Sequence, residues 1–365
     1  MFTPCEGFKG HKHMKGVALL CCTLEAVVVK TFGKDTDKSK YTPQECDKNR
    51  VPYSLYKSVV LIGQTSCYRM QRQNQIYVDV KMAVFAQIAE FYDWMMDEGD
   101  PRVETWLLMK SPLPSALIVI GYLFTVWLSP KYMANREAFK LKPVLVVYNF
   151  ALVILSFYMF YEFLVTSTLA GYSYRCQPVD YSNSPLALRM AAVCWWFFFS
   201  KIIELLDTLF FILRKKNNQV TFLHVYHHST MIVNWWLGVK YIAGGQSFFL
   251  AMVNSFIHTV MYTYYGLAAF GPHMQKYLWW KKYMTQLQLM QFFAVMIHTG
   301  INLATDCSFP QGFNIAVVLY ALSMILLFGN FYRTSYGQSK RKKKQYGEVD
   351  QNGIMENGNL LLKEE

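Results

Sequence analysis

The stretch P-V-L-V-V-Y-N-F-A-L-V-I-L-S-F-Y-M-F-Y-E-F-L-V, Pro143–Val165, decides the fold class. It is an apolar run longer than the roughly 20 residues a helix needs to cross a hydrocarbon core. Runs of the same kind recur at Leu113–Leu128, Ala187–Leu213, Phe222–Ile242, Ser247–Phe270, Tyr283–Ala304 and Gly312–Tyr332. The first is short and reaches spanning length only if Met109 and the flanking prolines are counted. The chain is 53% hydrophobic, 17% aromatic and only 16% charged, against about 25% charged in an ordinary soluble protein. These features predict an all-α polytopic membrane protein with about seven transmembrane helices in one domain, residues 113–336.

The net charge of +12 is placed for topology rather than for nucleic acid. Basic residues cluster at Lys131–Lys142, Arg214–Lys216, Lys276–Lys282 and Arg333–Lys344, in alternate connections between spans. The intervening connections, around Gly171–Ser184, Ala243–Gln246 and Thr305–Gln311, are nearly free of Lys and Arg. The positive-inside rule makes the basic set and the C-terminus cytosolic. Cys176 and Cys307 both fall on the other side. They are candidates for a disulfide if that side is oxidising, or else two free loop thiols. Residues 1–80 differ in kind, with mixed charge, scattered cysteines and no sustained period, and read as an atypical N-terminal extension that need not be ordered. Residues 81–112 are expected as a luminal segment before the first span, and 337–365 as a disordered, basic cytosolic tail.

Ionisable residues inside membrane helices are costly, so each is a functional-site hypothesis. The third span carries K-I-I-E-L-L-D-T, placing Lys201, Glu204, Asp207 and Thr208 on one face. The fourth opens with H-V-Y-H-H, where His224, His227 and His228 share a face. The fifth has H-T-V-M-Y-T-Y-Y, with His258, Met261, Tyr262 and Tyr265 on one side and Asn254 a turn earlier. The sixth, T-Q-L-Q-L-M-Q, presents Thr285, Gln288 and Gln291. Counted from the cytosolic ends at about 1.5 Å per residue, Glu204, His227, His258 and Gln291 lie roughly 14–20 Å deep. One common depth predicts one buried site, whereas separate stripes would merely join neighbouring helices.

Two chemistries suit such histidines. H-x-x-H-H also occurs in membrane desaturases and hydroxylases, where several histidine boxes hold two irons. Of eight histidines in all, three form the box and His11 and His13 lie in the N-terminal region; the other three, His258, His273 and His298, are isolated and too few for a di-iron cage, so no metal is expected. The other is acyl chemistry, in which an imidazole attacks a thioester and a second histidine moves the proton. Such a nucleophile needs no charged resting form, which suits a dry chamber. A seven-span receptor or transporter, with the polar stripes lining a ligand path, is the non-enzymatic alternative.

The four motifs, in this order and spacing, resemble the signature motifs of the very-long-chain fatty acid elongases, the ELO family. The resemblance runs from about Phe91, through V-E-T-W-L-L-M-K-S-P and Y-S-Y-R-C-Q-P-V-D-Y-S, to about Tyr336. Stretches such as R-K-K-N-N-Q-V and A-G-G-Q-S-F-F look most like the animal branch making the longest chains, including polyunsaturated ones. The resemblance implies seven spans, six of them enclosing a narrow acyl tunnel, in the endoplasmic reticulum membrane. It implies the condensing step of elongation, acyl-CoA plus malonyl-CoA giving 3-oxoacyl-CoA, CoA and carbon dioxide, with no bound cofactor. His227 is then the nucleophile and His258 its partner. Lys201, Glu204, Asp207, His224, His228, Asn254, Tyr262, Tyr265 and Gln288 support them, and Cys176–Cys307 is the loop disulfide. Candidates for CoA phosphates are Arg214, Lys215, Lys216, Lys281 and Lys282. Implied partners are the membrane lipid and the reductases and dehydratase of the elongation cycle; a homo-oligomer is compatible with the sequence.

Overall fold

A computed structural model describes residues 53–305 and 307–337 of the chain. The start of the N-terminal extension, with Cys5, Cys21, Cys22 and Cys46, and the tail from Gln338 lie outside the described residues. The chain divides into two compact units, Met1–Met95 and Met96–Glu365. Helix α1 starts at Tyr53, in the first unit, and runs to Asp97 with no proline and a single glycine, Gly63. Nothing therefore breaks its hydrogen-bond ladder. It is regular helix across the boundary that composition draws at residue 80, because a sequence period reports a buried face and not the helical backbone itself.

The described residues of the second unit are helices and connections, without a strand. α2 (Pro112–Met133), α3 (Lys142–Leu169), α4 (Pro185–Ile203), α5 (Leu205–Leu213), α6 (Phe222–Ile242), α7 (Ser247–Ala269), α8 (Lys281–Ala304) and α9 (Gln311–Tyr332) follow in order. The expected third span is α4 plus α5, interrupted at Glu204. The short first span gains its length by running on through Pro130 to Met133, and not by including Met109, which is buried in the loop ahead of it. Side-chain caps set several starts: Ser111 Oγ accepts from Leu113 N, Ser184 Oγ from Ala187 N and Thr221 Oγ1 from His224 N. Four helices, Pro112–Met133, Lys142–Leu169, Lys281–Ala304 and Gln311–Tyr336, are long and apolar enough by themselves to cross a membrane. Polar side chains dilute the other three.

Pairwise packing closes a ring of six: α3 on α4, α4 on α6, α6 on α9, α9 on α8, α8 on α7, and α7 back on α3. α2 lies outside this ring, against α6 and α5. The α3–α7 contact is close because its surfaces are small. Ser156, Ala251 and Ser255 are buried, and a Cβ added at Gly266 would come within 3.2 Å of the Phe150 ring. On the outside, Val147 and Ile154 of α3 are 71% and 72% exposed, as apolar side chains facing lipid should be. The protein is a multi-pass membrane protein.

At the end of the bundle where α3 finishes and α4 begins, Arg102 joins three connections. It pairs with Asp100 (Nη2–Oδ2 2.6 Å) and donates to the carbonyls of Asp180 (2.5 Å), Ser182 (3.3 Å) and Ala243 (3.3 Å). Cys176 and Cys307 form a disulfide at that end, Cα–Cα 5.7 Å, closing a loop of sequence separation 131. A loop that long makes the bond worth about 4–5 kcal/mol in the chain-entropy account. Cys176→Ser is therefore expected to lower the thermal midpoint of the purified protein by several degrees, and a reductant should lower the wild type to the same value without moving the variant further.

Candidate active site

The site is organised around the interruption at Glu204. In an unbroken helix the Asp207 amide would bond to the Ile203 carbonyl; here it bonds instead to Glu204 O (3.2 Å). The freed Ile203 carbonyl accepts from the hydroxyl of Tyr148, reaching in from α3 (3.2 Å). A side chain inserted into the ladder is a recognised cause of a helix break. We expect Tyr148→Phe, which leaves that part-buried carbonyl without its partner, to cost about 1 kcal/mol of stability. It should also lower turnover more than it raises KM, which steady-state kinetics would check.

The break carries a buried charge cluster. Lys201 and Glu204 are each 2% exposed, and Lys201 Nζ lies 2.7 Å from Glu204 Oε1. The ammonium also donates to Asn254 Oδ1 (3.4 Å), approaches His258 Nδ1 (3.4 Å) and sits 4.4 Å over the Phe197 ring. His258 Nδ1 is 3.2 Å from the same Glu204 oxygen. Ser200 Oγ donates to it as well (3.4 Å). One turn on, Asp207 Oδ2 accepts from the Tyr262 hydroxyl (2.8 Å). Buried charges persist only when paired and hydrogen-bonded, and here both conditions are met.

The three histidines of α6 take separate surroundings. His224 Nε2 meets Thr208 Oγ1 (2.8 Å), which meets the Tyr122 hydroxyl (3.1 Å), so a polar chain runs from α2 through α5 to α6. The His224 and His228 rings are 4.2 Å apart. His227 Nδ1 lies 3.1 Å from the hydroxyl of Tyr320 on α9, which is also 3.2 Å from Thr230 Oγ1. The His227 ring also stands edge-on to His228, 5.6 Å between centroids. It lines a mostly apolar cavity of about 370 Å³ between α6, α7, α8 and α9, together with Asn254, Gln291 and Trp235.

The remaining sequence-derived candidates distribute unevenly. Gln288 approaches Met261 Sδ (3.3 Å), while Gln291, one turn further, accepts from Asn254 and so joins the cluster (3.4 Å). Tyr265 meets it through its ring, edge-on to Tyr262 at 6.2 Å. Arg214, Lys215 and Lys216 occupy the turn after α5, where Lys215 has a left-handed backbone (φ 56°) and donates to Ala134 O (3.1 Å). Lys281 and Lys282 open α8. Sequence reasoning missed Tyr122, Tyr148 and Tyr320, because a tyrosine in an apolar span looks like packing until its hydroxyl's partner is known. Among the described residues no group of three or more His, Cys, Asp or Glu side chains is arranged to hold a metal.

Residues 107–345 match the profile of the ELO: GNS1/SUR4 family. Over 269 residues the chain is 55% identical to very long chain fatty acid elongase 4 of Macaca mulatta, covering 74% of this chain and 85% of that one. It is 48% identical over 281 residues to elongase 7 of Rattus norvegicus, 76% and 97% covered. Over 269 residues it is 48% identical to elongase 1 of Homo sapiens, 73% and 95% covered.

Proposed function

This chain belongs to the ELO (GNS1/SUR4) family, and from that premise we propose that it condenses a long-chain acyl-CoA with malonyl-CoA, giving 3-oxoacyl-CoA, CoA and carbon dioxide. The observation that carries the reading is His227, at the wall of an apolar cavity with its Nδ1 engaged by Tyr320. With Nδ1–H donating to the Tyr320 oxygen, Nε2 keeps its lone pair for the thioester carbon. The C–S bond breaks as the C–N bond forms, and the proton lost from the imidazole balances the departing CoA thiolate. An acyl-imidazole remains, with its chain in the cavity.

Malonyl-CoA then loses carbon dioxide, and the electron pair released becomes an enolate. Its carbon attacks the acyl carbon, the C–N bond breaks, and the pair returned to the imidazole takes a proton from water. Developing negative charge on the enolate and tetrahedral oxygens is stabilised by the Lys201 ammonium and by His258, both held in place by Glu204. Asp207, His224, His228, Asn254 and Tyr262 fix these groups; Gln291 joins them through Asn254. Because reduction and dehydration fall to separate enzymes of the cycle, the condensing protein itself needs no bound cofactor. The basic turn at Arg214–Lys216 and the start of α8 at Lys281–Lys282 face the cytosol and offer phosphate contacts to CoA. The endoplasmic reticulum membrane, with a cytosolic C-terminus, supplies both CoA esters and lipid.

The test is purified full-length protein with a long-chain acyl-CoA and malonyl-CoA labelled in its free carboxyl. Acyl-dependent release of labelled carbon dioxide, matched one to one by 3-oxoacyl-CoA, is expected; release no greater than in the acyl-free control would overturn the reading.

A further inference from the structure

The cavity that His227 lines is walled on one side by α6 and α9, and that wall is unevenly built. Near His227 it is closed by large side chains: the rings of Tyr226 and Tyr320 stack at 6.1 Å, the Tyr226 hydroxyl meets Ser323 Oγ (3.1 Å), and the Tyr320 hydroxyl meets Thr230 Oγ1 (3.2 Å). Toward the other end of α6 it is closed again, where the rings of Tyr241 and Phe313 lie 6.3 Å apart. From Thr230 to Tyr241 is about 16 Å at 1.5 Å per residue. Between those closures the cavity lining includes Asn234 and Gly238 on α6 and Ala316 on α9, with Gly312 a turn further along α9. Asn234, Gly312 and Ala316 are exposed, whereas every other lining residue is buried or half-buried. A Cβ added at Gly312 would meet nothing within 4 Å, so no neighbouring side chain covers that position. Residues that line a cavity and are exposed as well form its rim, and these lie on the two helices of one seam. Asn234 is about 18 Å from the start of α6 at Phe222 and about 12 Å from its end at Ile242, which sets the rim inside the hydrocarbon layer.

Condensation through His227 fixes the acyl carbon at that histidine, and the inference rests on that reading. An extended chain advances roughly 1.2 Å per bond, since the three backbone bonds of a peptide residue span about 3.3–3.6 Å. Asn234 is about 10 Å from His227 along α6 and Ile242 about 22 Å, so an acyl chain draws level with the rim after about nine carbons and with the end of α6 after about 18. We propose that the far end of the chain leaves the cavity sideways, between α6 and α9, into the bilayer, so that the protein accepts acyl-CoA longer than the cavity and acyl-CoA with a bulky terminal group. The exchange costs little, because lipid tails are as apolar as the wall the chain leaves. A cavity closed on every side predicts the opposite: a bulky end would have to be overpacked into close-fitting protein at any chain length.

Full-length protein in phosphatidylcholine nanodiscs should be assayed with malonyl-CoA and matched pairs of saturated acyl-CoA, one plain and one carrying pyrene on its terminal carbon, across a series of chain lengths. The pyrene is expected to lower kcat/KM by about tenfold or more on chains shorter than about ten carbons, and by less than about threefold on chains several carbons longer, whose ends have passed the rim. In Ala316→Trp, which fills the rim, the ratio of plain to pyrenyl substrate should return to about tenfold or more on the longer chains. The length series needs no variant, so it decides the matter even if Ala316→Trp fails to fold. A pyrene penalty of about tenfold or more at every length in the wild type would overturn the proposal. So would a folded Ala316→Trp that tolerates pyrene on long chains as well as the wild type does. Failure to condense the plain acyl-CoA at all would instead overturn the condensation reading, and this inference with it.

Discussion

With His227 replaced by alanine, 3-oxoacyl-CoA formation is expected to fall by about 10³-fold or more, to the level of a blank, while the protein folds and binds acyl-CoA. The reason lies in what His227 touches. Its side chain is tied by a hydrogen bond of Nδ1 with the Tyr320 hydroxyl and by a ring contact with His228, and Tyr320 keeps Thr230 as a second partner. Removing the imidazole therefore leaves no buried charge stranded. It does remove the imidazole that lines the apolar cavity beside Asn254, which the Lys201 ammonium contacts. Thermal unfolding within a few degrees of wild type, with turnover at background, is the expected pair of results; retained turnover would contradict the assignment.

The second large effect concerns the ion pair. Lys201→Met is expected to destabilise the protein by about 3–5 kcal/mol, because it leaves Glu204 charged and buried without its counter-ion. His258 and Ser200 still face that carboxylate, so the loss should stop short of complete unfolding. The double variant Lys201→Met/Glu204→Leu removes both charges and should regain much of the lost stability, since well-packed apolar groups can replace a buried pair at little cost. Activity should not return with it, because the ammonium placed between Asn254 and His258 is absent. Thermal melts read the first comparison and turnover the second. A double variant that recovers both would reduce the pair to a structural link between α4 and α7.

The architecture was largely legible because a bilayer imposes a length on every span. Six of the seven expected runs begin and end within a few residues of helix or helix-pair boundaries, and the departures have local causes. α2 passes through Pro130, which gives up its own bond to the Val126 carbonyl, and an apolar count ending at Leu128 does not anticipate the turn beyond it. The division of the third span at Glu204 depends on Tyr148, more than fifty positions earlier in the chain. No linear pattern announces that a tyrosine on one helix will take a carbonyl from another.

The polar residues of the site were legible for the same reason that they are costly. Lys201, Glu204, His258 and Asn254 stood out as charge or amide in apolar runs, and the structure gathers them through direct contacts. Register was harder. Gln288 and Gln291 share a face of α8 one turn apart, and only the longitudinal offset between helices decides which meets Asn254. Asn234 was passed over because a lone amide in an apolar run is ordinary glue between helices; that it is exposed and also lines the cavity is a tertiary fact.

The central claim is that the acyl group is carried on His227. Intact-mass spectrometry of the purified protein, incubated with a long-chain acyl-CoA and no malonyl-CoA, tests it directly when free CoA is measured alongside. Wild type should gain the mass of one acyl group with an equal amount of CoA released, and His227→Ala should gain and release nothing. Wild type that forms 3-oxoacyl-CoA once malonyl-CoA is added, yet shows neither adduct nor CoA release before it, would contradict the acyl-histidine and make His227 a base in a direct condensation.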